Sequence, residues 1–110
     1  MFLIEDNNIT MTKGDSGFFT LKLYSGDKSE YVITQGDKIT FTVKKNKESF
    51  CDVVLEKKGD KIVLEKQDTE KIPSGEYVYD ITLEKGTSDR CTVAEGKFIL
   101  RKAVHNFERN

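Results

Sequence analysis

Apolar and polar residues alternate with a period of two in run after run of this chain, a pattern that fits half-buried strands and not helices. Phe19, Leu21 and Leu23, then Ile39, Phe41 and Val43, put apolar groups on one side with Thr and Lys on the other. The same reading fits Cys51, Val53 and Leu55; Ile62 and Leu64; Tyr77, Tyr79, Ile81 and Leu83; Cys91 and Val93; and Phe98 and Leu100. Side-chain type agrees. Val, Ile and Thr occur 8, 8 and 10 times against 2 Ala and 7 Leu, and β-branched residues lose rotamer freedom in a helix while packing well on a pleated surface.

Turn residues separate these runs at Gly14-Asp15, Ser25-Gly26-Asp27, Gly36-Asp37, Lys45-Asn46-Lys47, Lys58-Gly59-Asp60, Lys85-Gly86-Thr87-Ser88 and Glu95-Gly96. A turn every roughly 8–12 residues marks an antiparallel sandwich or barrel. The spacing predicts strands near 8–12, 16–24, 30–34, 38–44, 50–56, 61–66, 75–84, 89–95 and 97–102, in two packed antiparallel sheets. A two-residue loop at Lys58-Gly59 sets Leu55 opposite Ile62 and Val54 opposite Val63; a three-residue loop at Gly86-Thr87-Ser88 sets Leu83 against Cys91 and Ile81 against Val93. Gln67 to Pro73 resists strand assignment. There Asp68 can N-cap one turn through Thr69, Glu70 and Lys71 before Pro73 stops it, and the segment reads as the crossover between sheets.

At 110 residues and 12.6 kDa the chain has room for one domain, assigned to residues 1–102, with a tail at 103–110 that has lost the alternation and is expected to fray. Lys+Arg (18) and Asp+Glu (19) nearly cancel, so the basic excess that drives phosphate-backbone binding is missing and nucleic acid is not the expected partner. Phe2-Leu3-Ile4 is too short for a signal peptide or a membrane span. The expectation is a soluble chain made in a cytoplasm.

Several chemistries are invited and then refused. Gly14-Asp15-Ser16-Gly17 reads like a serine-hydrolase nucleophile segment, but a serine nucleophile needs a histidine base and the only histidine is His105, in the tail. Gly-Asp as a turn with Ser16 opening a strand explains the same residues. Cys51 and Cys91 fall in the inward phase, which predicts reduced, buried thiols, with a disulfide across the sandwich as the alternative that geometry allows; a zinc site needs three or four ligands that this chain does not supply. Asp15, Asp27, Asp37 and Asp60 sit in turns without the calcium-loop spacing. The lysines at 44, 45 and 47 and at 57–58 read as solvated hairpin tips. Tyr24, Tyr31, Tyr77 and Tyr79 invite a sugar-stacking platform, yet two share the inward phase of one strand, and core is the expected role. No cofactor is expected and no catalytic set emerges. Most outward positions are Lys, Glu, Asp or Thr, but Val54, Val63, Val78 and Ile99 break that rule on four different strands and are the candidate protein interface.

Four stretches taken in order carry a resemblance: Met11-Thr12-Lys13-Gly14-Asp15, Gln35-Gly36-Asp37-Lys38-Ile39-Thr40-Phe41-Thr42-Val43, Ile72-Pro73-Ser74-Gly75-Glu76-Tyr77-Val78-Tyr79-Asp80 and Glu95-Gly96-Lys97-Phe98-Ile99-Leu100. Over most of residues 9–102 the chain resembles the small immunoglobulin-like β-sandwich of tailed-phage and prophage structural proteins, similar to the N-terminal domain of upper baseplate proteins. The resemblance implies eight or nine short strands in two sheets. It also implies a non-enzymatic structural or interaction module, a tail or baseplate component or assembly adaptor. Its partners would be copies of itself or other virion and assembly proteins, with no nucleic acid and no membrane, and it would be found in the host cytoplasm on synthesis and then in the virion. Such domains often precede a fibre or receptor-binding region, whereas this sequence stops just after its last strand. The reading from a different class is a ligand-binding sandwich such as a carbohydrate-binding module, which needs two or three exposed aromatics on one face or loop end.

Overall fold

The computed structural model describes residues 2–24, 29–34, 36–46, 53–86 and 89–103. The alternation is realised as β-structure almost throughout. In chain order the elements are β1 (Phe2–Glu5), β2 (Asn8–Thr12), β3 (Gly17–Thr20), β4 (Leu23–Tyr24), β5 (Glu30–Tyr31), β6 (Asp37–Lys44), β7 (Val53–Lys58), β8 (Lys61–Leu64), one helical turn α1 (Lys66–Thr69), β9 (Gly75–Lys85) and β10 (Asp89–Arg101). A six-stranded sheet runs β1-β2-β10-β9-β6-β7, and two small sheets pair β3 with β8 and β4 with β5.

One face of the large sheet carries the core. Ile9, Met11, Ile39, Phe41, Val43, Leu55, Tyr77, Tyr79, Ile81, Leu83, Phe98 and Leu100 are buried there, and Ile62 and Leu64 of β8 join them from the other layer. Phe41 is the hub: its ring meets Phe19 of β3 edge-on at 5.7 Å, Tyr79 at 5.4 Å and Phe98 at 6.3 Å. Such tilted and edge-on contacts suit the ring quadrupoles and tie the small β3–β8 sheet onto the large one.

Several sequence expectations change here. Ten strands are found among the described residues, against eight or nine. The apolar run Phe2-Leu3-Ile4 forms a strand of its own, because Asp6 and Asn7 both take positive φ (51° and 65°) and close a two-residue hairpin of the type that suits twisted strands. Glu95-Gly96 is no turn. β10 runs straight through it, and Gly96 is required because a Cβ there would lie 2.1 Å from the Asn7 carbonyl oxygen, so the β1–β2 turn seats directly on bare backbone. The span 16–24 divides into β3 and β4: Leu21 N still donates to Asp60 O at 2.8 Å, but β8 supplies no further partner beyond that point. Not every ladder is antiparallel, since β2 and β10 run parallel from Ile9↔Phe98 to Thr12↔Arg101.

The hairpin at Lys58-Gly59 does not form. β7 pairs with β6 and β8 pairs with β3, so Leu55 and Ile62 enter the core from opposite layers and residues 59–60 are a corner between sheets. Leu83 does face Cys91 as expected, but a bulge at Val93 puts Ala94, not Val93, opposite Ile81. The crossover at 67–73 joins β8 in one layer to β9 in the other. Its helical turn starts one residue after Glu65, and Asp68 is its third residue and not its cap: Asp68 Oδ2 accepts from Glu65 N at 2.7 Å. Fully buried Thr69 accepts from Gly14 N at 2.9 Å through Oγ1, which fixes the β2–β3 turn to the crossover. Among the described residues no helix is long and apolar enough to cross a membrane.

Candidate protein interface

The four outward apolar residues separate into three environments. Val54, at an irregularity in the β6–β7 ladder, is half-buried and packs against the core. Val63 lies 42% exposed on the outer face of β8, in the other layer. Val54 and Val63 are therefore not cross-strand neighbours, and the patch built on that register is not formed. Val78 and Ile99 do share the outer face of the large sheet: Val78 stands opposite Lys97 on one side and Lys44 on the other, and Ile99 between Thr10 and Glu76. The two are diagonal neighbours, half-buried among charged residues that include the 3.7 Å Lys97–Glu76 ion pair.

Val63 acquires a partner that alternation did not reveal. Phe18 pairs with it directly across β3–β8 and is 61% exposed, with the Lys61 ammonium 4.8 Å from its ring centre. Phe18 stands between Gly17 and inward Phe19 on β3, and two adjacent Phe on one strand must put one ring outward; that is the signal the sequence offers. β1 lies against β3 on its core side. Phe2 stacks on Phe19 at 6.3 Å and its ring occupies the place where any side chain at Gly17 would be, 2.5 Å from an ideal Cβ. Leu3 and Ile4 follow it, 48% and 44% exposed. Leu3, Ile4, Phe18 and Val63 thus lie on the two strands that meet at one margin, or on the strand paired to them.

A second feature opens at the far end of the inner face. Lys22, Leu23, Tyr24, Tyr31, Leu83, Lys85, Cys91 and Val93 line a cleft of about 460 Å³. Tyr31 donates to Asp37 Oδ2 at 2.7 Å, Thr34 N donates to the same oxygen at 3.0 Å, and the Lys85 ammonium lies 4.3 Å from the Tyr31 ring centre. The donors from Thr34 and Tyr31 hold the Asp37 carboxyl below the usual carboxylate range, and the bond to Asp37, with burial and its charge adding, raises the Tyr31 hydroxyl. Tyr77 and Tyr79 are buried as expected, and burial raises both hydroxyls. Tyr24 and Tyr31 depart from the expected core role: Tyr24 is 63% exposed and Tyr31 half-buried at the cleft. Cys91 departs too. It carries a free, exposed thiol, because among the described residues nothing covers the inner face at this end; Cys51, Asp27 and His105 lie outside the described residues, as does the expected tail from 104 onward. Asp15 N bonds Thr12 O, and Asp60 holds the corner through its carbonyl, which are turn duties. Among the described residues no three His, Cys, Asp or Glu side chains converge as a metal site would require.

Comparison of the chain with protein-family models, with curated proteins and with solved structures found no match.

Proposed function

We propose that this chain is a non-enzymatic, immunoglobulin-like interaction module of the kind found in tailed-phage and prophage structural proteins, acting through the apolar margin formed by β1, β3 and β8. Strand path supports the fold assignment. Immunoglobulin sandwiches place strands B and E in one sheet and C, F and G in the other; here β3 pairs with β8, and β6, β9 and β10 are neighbours in the large sheet, in the same chain order. A second mark of that fold is a tyrosine near the start of strand F that bonds back to the chain just upstream. Tyr77 occupies this place on β9 and donates to Pro73 O at 2.5 Å. Where antibody domains carry a tryptophan and an inter-sheet disulfide, this core has Phe19, Phe41 and Tyr79 in mutual succession.

The observation that carries the functional reading is the exposed Phe18–Val63 pair: a large aromatic and a β-branched residue directly opposite each other, facing outward on a surface otherwise of Lys, Glu and Thr. The test uses purified products of the genes flanking this one. Binding that weakens at least tenfold in Phe18→Glu with Val63→Glu, at unchanged melting temperature, supports the reading; undiminished binding, or none to any neighbour, refutes it.

The exposed Tyr24 at the cleft favours a ligand-binding module as a second reading. Tyr31 has its hydroxyl tied to Asp37 and Lys85 over its ring, which leaves Tyr24 as the one ring there more than half exposed. A glycan array read against Tyr24→Ala separates the two readings.

A further inference from the structure

We propose that β1 pairs edge to edge with β1 of a second copy of this chain, about a two-fold axis passing midway between the two Leu3 residues. The inference narrows the interaction reading above, on which it rests, to one partner at one strand.

Strand β1 is the terminal strand of the large sheet, and among the described residues no strand pairs with its outer side. Hydrogen-bond parity says which of its groups are unpaired. The two-residue Asp6-Asn7 turn makes Glu5 and Asn8 the closing pair, so Glu5↔Asn8 and Leu3↔Thr10 are the hydrogen-bonded pairs of the β1–β2 ladder. The N–H and C=O of Phe2 and Ile4 therefore point away from β2, toward the open edge.

A symmetric antiparallel partner must present its own free groups to these. With Leu3 opposite Leu3 of the second copy, Phe2 falls opposite Ile4 and Ile4 opposite Phe2. Both outer pairs then exchange two hydrogen bonds, four in all, with the leucine pair between them. Side-chain phase agrees with this register: Phe2 and Ile4 share the inner side and meet each other, and Leu3 meets Leu3 on the outer side. A shift by one residue opposes free groups to occupied ones. A register centred on Ile4 sets Phe2 against Asp6, whose positive φ takes it out of the strand. Apolar thus meets apolar in the one register that satisfies the backbone, and Glu5 and Asp6 fall outside the paired run. A ladder of three residues per strand is a small contact, so the dimer is a weak, concentration-dependent one.

Sedimentation over a wide concentration range tests the assembly, and cross-linking tests the register. Opposed leucines form a non-hydrogen-bonded pair with Cα atoms about 4.5 Å apart, within reach of a disulfide. With Cys51 and Cys91 replaced by Ser, Leu3→Cys is expected to form an oxidised covalent dimer and Ile4→Cys far less of it. Ile4→Pro removes a free edge N–H without touching the ladder to β2, and Leu3→Lys places a charge at the axis; each is expected to abolish the reversible dimer with melting nearly unchanged. A wild-type chain that stays monomeric at every concentration overturns the proposal, as does a dimer that survives both variants, or cross-linking through Ile4→Cys that equals that through Leu3→Cys. The Phe18→Glu, Val63→Glu test reads the outward side chains of β3 and β8 at this margin and the present one reads the backbone edge of β1, so each inference fails separately.

Discussion

The two edges of the six-stranded sheet are built in opposite ways. β7 is defended: the ladder to β6 is irregular between Val43 and Lys44, Glu56 and Lys58 interrupt its surface, and Lys57, in the inward phase opposite Phe41, reaches Asp68 of α1 at 2.9 Å. Bulges and inward charges of this kind keep an edge from accepting a foreign strand. β1 has none of these devices. Its one charge is Glu5, at the turn, and its inward residues Phe2 and Ile4 are apolar. The contrast teaches that exposure of backbone edge is handled locally, strand by strand, and the bare edge is the one that the proposed dimer uses.

The largest blow to this comparison removes the seat of β1. Gly96→Ala drives a methyl into the Asn7 carbonyl, displaces the hairpin turn and strains the Tyr79 hydroxyl bond to Asn7 O. A loss of about 2–3 kcal/mol is expected from denaturant unfolding, with amide exchange accelerating first in residues 2–12; uniform acceleration would mean that β1 is no separate unit. Next in size, Phe2→Ala gives up a half-buried ring against Phe19 and is expected to cost about 1–2 kcal/mol, loosening β1 while leaving β7 unchanged. Smaller in stability but sharper for the comparison, Lys57→Val with Lys58→Thr strips the guard from β7. The lost Lys57–Asp68 pair is worth under about 1 kcal/mol, yet the variant should self-associate more than the wild type in light scattering; no increase would show that the guards are incidental.

Much of this fold was legible because a period of two is a strong signal: the inward sets of β6, β8 and β9 are as the alternation places them, and Leu83 faces Cys91. The failures share one cause. Alternation assigns a side of a strand but carries no information about which sheet the strand joins, so Val54 and Val63 could be read as neighbours when β7 and β8 belong to different layers. Glu95-Gly96 reads as a turn because the contact that demands the glycine, the carbonyl of Asn7, lies 89 residues away. Phe2-Leu3-Ile4 does not alternate, so the period of two does not mark β1; an edge strand is largely solvated and needs no period. The outward phase did point to Val63, while Phe18, its partner, required the β3–β8 register.

Acidity separates the two sides of the molecule by the smallest effect. The apolar packing of Phe2 at the bare edge involves no ionisable group, whereas the start of β6, the strand next to guarded β7, is clasped by Asp37 to Tyr31 and Thr34. The sign follows from the direction of each shift. Asp37 is depressed in the fold, so its contribution is present above the carboxyl's unfolded value and lost as pH falls through the folded one; Tyr31 is raised, so its contribution is present below the hydroxyl's unfolded value and lost as pH rises through the folded one. Both groups sit near solvent, so the changes in melting temperature should be slight. Asp37→Asn keeps an acceptor for the Tyr31 hydroxyl but removes the charge, and is expected to flatten the acid limb and to move the alkaline limb to lower pH, as the Tyr31 hydroxyl loses the neighbour that raises it. Amide exchange at residues 29–34 should follow both limbs and exchange at residues 2–5 neither; acid loosening of β1 in step with β5 would mean that the two sides respond as one unit and that the contrast between them is one of surface alone.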